Sequence, residues 1–251
     1  WTAFQTILSR EILRFSRIWV QTLLPSAVTT VLYFVIFGNL IGNQIGEMEG
    51  FRYIDFIVPG LILMAVITNS YANTVSSFYS GKFQHYVEEM LIAPIPNWII
   101  LAGYVGGGVA RGVVVGIIVT IVSLFFSDLV IHSYWITFVI FVLTSILFAL
   151  AGFINAIYAN SFDDISIVPT FVLVPLTYLG GVFYSITLLP DIWQTVSLAN
   201  PVLYMINAFR YGLLGVSDIP LWIAFQIILA FIAILFFYAM HLLNKGVGTK
   251  S

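Results

Sequence analysis

The chain has no cysteine, and only 8% of its 251 residues are Asp, Glu, Lys or Arg. Without cysteine there is no disulfide framework, no thiol nucleophile and no thiolate metal site. A soluble domain carries about 25% charged residues, so this chain cannot cover itself with polar surface. It has no Gly-x-x-x-x-Gly-Lys-Ser/Thr loop and cannot hold a nucleotide by that route. No basic block points to nucleic acid, and the net charge of -2 says little about partners. An intramembrane hydrolase needs a nucleophile beside a base. His85, His132 and His241 lie at or near the ends of apolar runs, where a ring can reach water, and read as interfacial polar anchors. Asp163 and Asp164 are adjacent, so on a helix they diverge by about 100° and make no obvious dyad. No catalytic, metal-binding or cofactor-binding residue is assigned.

What fills the chain is apolar: 61% of residues, including 22 Phe, 13 Tyr and 6 Trp. The runs are continuous rather than alternating, which predicts membrane-spanning helices and not barrel strands. Six runs reach the length of about 20 residues that a bilayer demands: 23–41, 54–79, 98–126, 134–159, 165–185 and 221–243. No cleavable signal peptide is expected, because the first run lacks a small-residue cleavage site.

Before the first run, residues 2–19 form an amphipathic pattern. Phe4, Ile7, Leu8, Ile12, Phe15, Ile18 and Trp19 share one face, and Arg10, Arg14 and Arg17 the other, as in a helix lying in the membrane interface. Residues 186–219 are too polar and proline-marked for one straight span, with Pro190, Asn200-Pro201 and Pro220 as breaks. A re-entrant helical hairpin turning at Asn200-Pro201 is expected, since irregular backbone at membrane depth needs protein or water around it. Two further true spans are the alternative.

Lys and Arg in short loops set orientation. With the N-terminus inside, Arg10, Arg14, Arg17, Lys82, Lys245 and Lys250 fall inside, and Arg52 and Arg210 outside. Both termini and the segment 80–97 are then cytoplasmic. That segment holds Lys82, His85, Glu88 and Glu89, closed by Pro94 and Pro96. Phe83, Tyr86, Val87, Met90 and Leu91 recur at helical spacing. It is either a surface loop with one helical turn or a docking helix for a cytosolic partner.

Four further features are weighed against plainer roles. Arg111 lies mid-span by count, where a charge is costly and usually functional; it either attracts an anionic headgroup in a substrate path, joins a salt bridge or snorkels outward. Arg210 is expected to pair with an outer carboxylate such as Asp191 or Asp218. Asn69, Asn73, Thr74 and Ser77 form a polar strip in the second run that either lines a pathway or bonds neighbouring helices. The glycines of the third run, with Gly103-x-x-x-Gly107 spacing, point to close helix packing.

Glu88-Glu89-Met90-Leu91-Ile92-Ala93-Pro94-Ile95-Pro96 resembles the cytoplasmic segment of ABC-2 type permeases. Asn200-Pro201-Val202-Leu203-Tyr204, continuing to Arg210, resembles their Asn-Pro-x-x-Tyr…Arg signature. Phe56-Ile57-Val58-Pro59-Gly60 and Leu179-Gly180-Gly181-Val182-Phe183-Tyr184 also fit, in register over the whole chain. The resemblance implies an all-α membrane protein with one transmembrane domain over residues 1–251: an interfacial helix, six spans and a re-entrant pair before the last. It implies an exporter permease in a bacterial inner membrane, a homodimer working with two copies of a separate cytosolic ATPase that holds ATP and Mg. Phe83, Tyr86, Glu88, Glu89, Leu91 and Pro94 would form the coupling segment in a cleft of that ATPase. Arg10, Arg14 and Arg17 would meet lipid headgroups. Asn69, Asn73, Thr74, Ser77 and Arg111 would be the substrate path, and Asn200, Pro201, Tyr204 and Arg210 the outer signature. An amphipathic, lipid-like or drug-like substrate is expected, with polysaccharide or lipid-linked glycan export as the alternative. From another class, an ion-coupled secondary transporter would want carboxylates inside the spans.

Overall fold

The computed structural model describes residues 1–129 and 131–247. Lys250, counted above among the inner charges, lies outside the described residues. The chain is helical almost throughout: α1 (Thr2–Arg17), α2 (Trp19–Ile45), α3 (Tyr53–Phe83), α4 (Tyr86–Ile92), α5 (Asn97–Ser123), α6 (Tyr134–Tyr158), α7 (Asp164–Leu179), α8 (Asp191–Leu198), α9 (Pro201–Leu214) and α10 (Leu221–Lys245). A two-stranded hairpin, β1 (Glu47–Met48) and β2 (Phe51–Arg52), joins α2 to α3, pairing Glu47 with Arg52 and Met48 with Phe51.

Among the described residues, five helices are long and apolar enough to cross a membrane: α2, α3, α5, α6 and α10. The run 165–185 does not form a sixth of that length. Its helix ends at Leu179, where Gly180 and Gly181 turn the chain, and Gly181 takes φ +77°, a conformation open to glycine and strained for other residues. Sixteen residues at 1.5 Å each give about 24 Å, short of a hydrocarbon core of about 30 Å. Two helices bend into π-helical geometry, α2 over Phe34–Ile41 and α7 over Pro169–Leu173. In α7 the proline explains the break, because it cannot donate to the helix ladder.

α3 is the centre of the bundle and packs chiefly on α5 and α6, with α9 beside it. Its apolar half buries Phe56, Ile57, Leu61, Ile62, Leu63 and Ile67. Glycines on α5 let its neighbours approach. A Cβ at Gly103 would meet Ile7 of α1 at 2.5 Å, and one at Gly108 would meet Ala149 of α6 at 2.8 Å and Ser70 O of α3 at 2.9 Å. The small-residue spacing therefore serves helix packing. α1 is seated along α5 rather than lying apart from the bundle, with Ile7, Glu11 and Phe15 buried.

Candidate functional site

The segment between α3 and α5 hangs from two bundle helices. His85 takes a left-handed conformation (φ 62°, ψ 6°) and starts α4, with Glu88 and Glu89 in its first turn, where the helix dipole favours negative charge. The His85 ring bonds Glu88 Oε1 at 3.0 Å. Ala93 turns extended, and Pro94 and Pro96 prevent continuation. Val87 is fully buried and faces Gly81, while Met90 and Leu91 are half-buried against the core. The outward side carries Phe83, Tyr86, Glu89, Pro94 and Ile92, the last 85% exposed. Ile92 was not singled out in the sequence, and it presents far more apolar surface than Leu91.

α1 reaches this segment. The Arg10 guanidinium lies 5.2 Å from the Tyr86 ring centre, a cation–π contact. Arg14 does not stay on the solvent face with Arg10 and Arg17. It turns inward and donates to Asn73 O at 2.9 Å and Asn73 Oδ1 at 3.0 Å, and it lies 3.4 Å from Glu11 Oε2. Glu11 is a buried carboxylate that the sequence pattern did not flag; Ser77 Oγ donates to its Oε1 at 2.5 Å. Burial pushes the Glu11 carboxyl above its ordinary value, against the pull of Arg14 and the Ser77 hydrogen bond. Arg10, Arg14 and Arg17 border one open groove along α1.

The polar strip of α3 is enclosed within this subunit. Asn69, Asn73, Thr74 and Ser77 are all buried. Asn73 serves Arg14, Ser77 serves Glu11, and Thr74 donates to Ser70 O within α3. Asn69 differs: it borders a cleft of about 270 Å³ between α2, α3 and α7, with Ser26, Tyr33, Leu61, Met64 and Val174. Arg111 stands behind Asn69. Its Nη2 donates to Asn69 Oδ1 at 2.9 Å and to Thr22 O at 3.3 Å. No carboxylate pairs with it among the described residues.

On α9, the carboxylates expected to pair with Arg210 do not do so. Asp218 turns its oxygens to Ser185 Oγ at 3.0 Å and Ile186 N at 3.3 Å. Arg210 is fully buried, donates to Gly181 O at 2.6 Å and lies 3.9 Å from the Phe56 ring centre. The rest of its motif behaves alike. Asn200 caps α9 by accepting from Val202 N at 2.9 Å and donates to Leu176 O at 2.6 Å. Pro201 occupies the first position of α9, where its missing N–H costs nothing. Tyr204 donates to Leu198 O at 2.6 Å. Arg52 bridges Asp55 at 2.7 Å and Asp128 at 2.9 Å on the exposed surface.

Comparison with known proteins fits this arrangement. The family described as ABC-2 type transporter matches residues 2–214. The Inner membrane transport permease YadH of Escherichia coli (strain K12) is 57% identical over 251 residues, all of this chain and 98% of that protein. Nodulation protein J of Rhizobium leguminosarum bv. viciae is 21% identical over 241 residues, 94% of this chain and 92% of that protein. Nodulation protein J of Neorhizobium galegae is 23% identical over 239 residues, 94% and 90% of the two chains. With its long apolar helices, the chain belongs to the ABC-2 type transporter family and is a multi-pass transport permease.

Proposed function

We propose that this chain is the membrane subunit of an ATP-driven exporter in a bacterial inner membrane, working as a homodimer with two copies of a cytosolic ATPase. The observation that carries this reading is α4: a seven-residue helix held by buried Val87 that presents Ile92 and Tyr86 beside Glu89, with Phe83 exposed at the end of α3 just before it. Apolar knobs rimmed by carboxylates suit a cleft with basic edges on a soluble partner. ATP and Mg belong to that partner. The α3–α5 loop and both termini are then cytoplasmic, α7 with the residues to 185 serves as the fifth of six membrane passes, and α8–α9 form the re-entrant pair. ATPase closure moves α4 and, through α3 and α5, the walls around the cleft, driving an amphipathic, lipid-like substrate outward.

Ion-coupled transport would use a buried carboxylate, and Glu11 is one, but Arg14 and Ser77 already satisfy it. The test is co-expression with the ATPase encoded beside the gene, in lipid nanodiscs. Ile92→Asp combined with Glu89→Arg is expected to lose the ATPase on purification while the permease remains folded. Retention of the ATPase and of its hydrolysis rate by the double variant would sink the docking role of α4.

A further inference from the structure

Arg111 is the one charged residue in α5. A guanidinium in a membrane-spanning helix is costly unless something answers its charge, and among the described residues no carboxylate does. Its Nε is buried without a hydrogen-bond partner. Arginine only donates, so Asn69 must turn its oxygen toward Arg111 and its amide nitrogen away. That nitrogen donates to Ser26 Oγ at 2.9 Å and to Ala65 O at 2.9 Å. Ser26 Oγ accepts in this bond and keeps its own proton to give. Both Asn69 and Ser26 border the cleft between α2, α3 and α7.

The chain Arg111 → Asn69 → Ser26 therefore runs one way, each member donating to the next. Hydrogen bonds aligned in series polarise one another in the same sense. This series ends at the cleft on a donor, with a full positive charge behind it. Leu61, Met64 and Val174 supply apolar wall on the same cleft. Its volume of about 270 Å³ suits a small headgroup with the first part of a chain, not a whole lipid.

We propose that this cleft binds an anionic amphiphile, with a phosphate, sulfate or carboxylate head on an acyl chain. Ser26 meets the head, and Arg111 is the positioning residue that supplies the counter-charge through Asn69. The proposal rests on the reading of the chain as a permease for an amphipathic substrate and gives that substrate a charge sign.

The test needs no ATPase, so it separates this proposal from the docking role of α4. The purified full chain in neutral detergent is titrated with tail-labelled phosphatidic acid and with phosphatidylcholine of the same tails. A lost hydrogen bond to a charged group corresponds to roughly tenfold or more in affinity. The wild type is expected to prefer phosphatidic acid by at least that factor. Ser26→Ala and Arg111→Gln should each erase the preference while phosphatidylcholine affinity moves by less than about twofold; Arg111→Lys should retain part of it. Dodecyl phosphate should displace the probe, and inorganic phosphate at equal concentration should not. If Arg111→Gln does not fold, Ser26→Ala, which removes a single oxygen, decides alone. The proposal is overturned by a wild type without preference, or by a preference that survives Ser26→Ala. It is equally overturned by displacement with inorganic phosphate, or by a preference lost only when Arg10 and Arg17 are neutralised, which would put the anion on α1.

Discussion

Alanine at each of the consecutive glycines Gly106, Gly107 and Gly108 makes the same chemical change in one helix turn, yet the three sites should respond differently. In a helix interior Gly→Ala gains about 1 kcal/mol from backbone entropy. A Cβ at Gly106 meets only Leu8 Cδ1 at 3.0 Å, the far end of a flexible side chain. That variant should keep most of the gain. A Cβ at Gly107 runs into the Glu11 side chain, with Cγ at 2.8 Å. Overpacking costs about 1–3 kcal/mol, and moving Glu11 also weakens charged hydrogen bonds worth about 1.5–3 kcal/mol. Set against the gain, net destabilisation of up to about 5 kcal/mol is expected, confined to the seat of α1. Gly108 faces Ser70 O at 2.9 Å and Ala149 Cβ at 2.8 Å, neither of which can swing aside. Alanine there should loosen the α3–α5–α6 core and be the worst of the three. Unfolding midpoints in detergent give the order, and hydrogen exchange separates α1 from the core. The reasoning fails if Gly106→Ala destabilises as much as Gly107→Ala, or if Gly107→Ala leaves protection in α1 unchanged.

Glu11 makes the docking of α1 depend on pH. Burial raises its carboxyl above the value of 4.5 that it holds when exposed, so seated α1 takes the proton more readily than released α1. Seating therefore tightens as pH falls through the raised value toward 4.5 and weakens as pH rises through it. Exchange protection in α1, corrected for intrinsic rates, should show this slope in the wild type and lose it in Glu11→Gln; equal slopes would refute the assignment. Lys82 Nζ donates to Ile157 O at 2.9 Å and Ala159 O at 2.8 Å, closing the end of α6. Lys82→Met should cost about 1 kcal/mol in the unfolding midpoint, and no change would show that water serves those carbonyls as well. Asn200→Ala should cost about 1–2 kcal/mol, since it removes both the α9 cap and the bond to Leu176 O; exchange at the start of α9 should rise first.

The long spans were legible because bilayer length and continuous apolarity act on each segment by itself. The five helices that reach membrane length overlap the runs marked from sequence. The run 165–185 shows the limit. It is largely apolar, and composition does not separate a helix from buried irregular chain such as Val182 and Phe183; Pro169, Pro175 and the glycine pair all mark breaks in the sequence, and the helix ends at the glycines. Glu11 escaped notice because beside Arg10 it looks like part of a solvated face. Its burial depends on Ser77, far along the chain, and on Gly107 being small enough to admit it. Within Met90-Leu91-Ile92 all three residues look alike. Once Val87 is buried, helix geometry decides: five steps of about 100° put Ile92 about 140° away from it, facing out. A polar strip was visible on α3, but which members faced the cleft was not. Asn69 alone of the four borders it, a consequence of where α2 and α7 pass.

Arg210 exposes a more general failure of charge-pairing logic. Opposite charge named Asp191 or Asp218 as its partner, because sequence shows charges and hides free carbonyls. Helices that end inside a protein leave carbonyls without partners in their last turn. α7 ends at Leu179 and α8 at Leu198, and the Asn200, Tyr204 and Arg210 side chains reach those endings. Asn200 donates to Leu176 O, Tyr204 to Leu198 O and Arg210 to Gly181 O. The motif is thus one device: three donors, all on α9 or its cap, satisfy the carbonyls exposed where two short helices stop. The Phe56 ring answers part of the remaining charge. Seen this way, the early end of α7 is specified rather than tolerated. Gly181 needs its positive φ to present that carbonyl, and lengthening α7 through the glycine pair would strand a fully buried guanidinium. A helix continued through Gly180 and Gly181 and the Arg210–Gly181 hydrogen bond exclude each other, and this chain forms the bond.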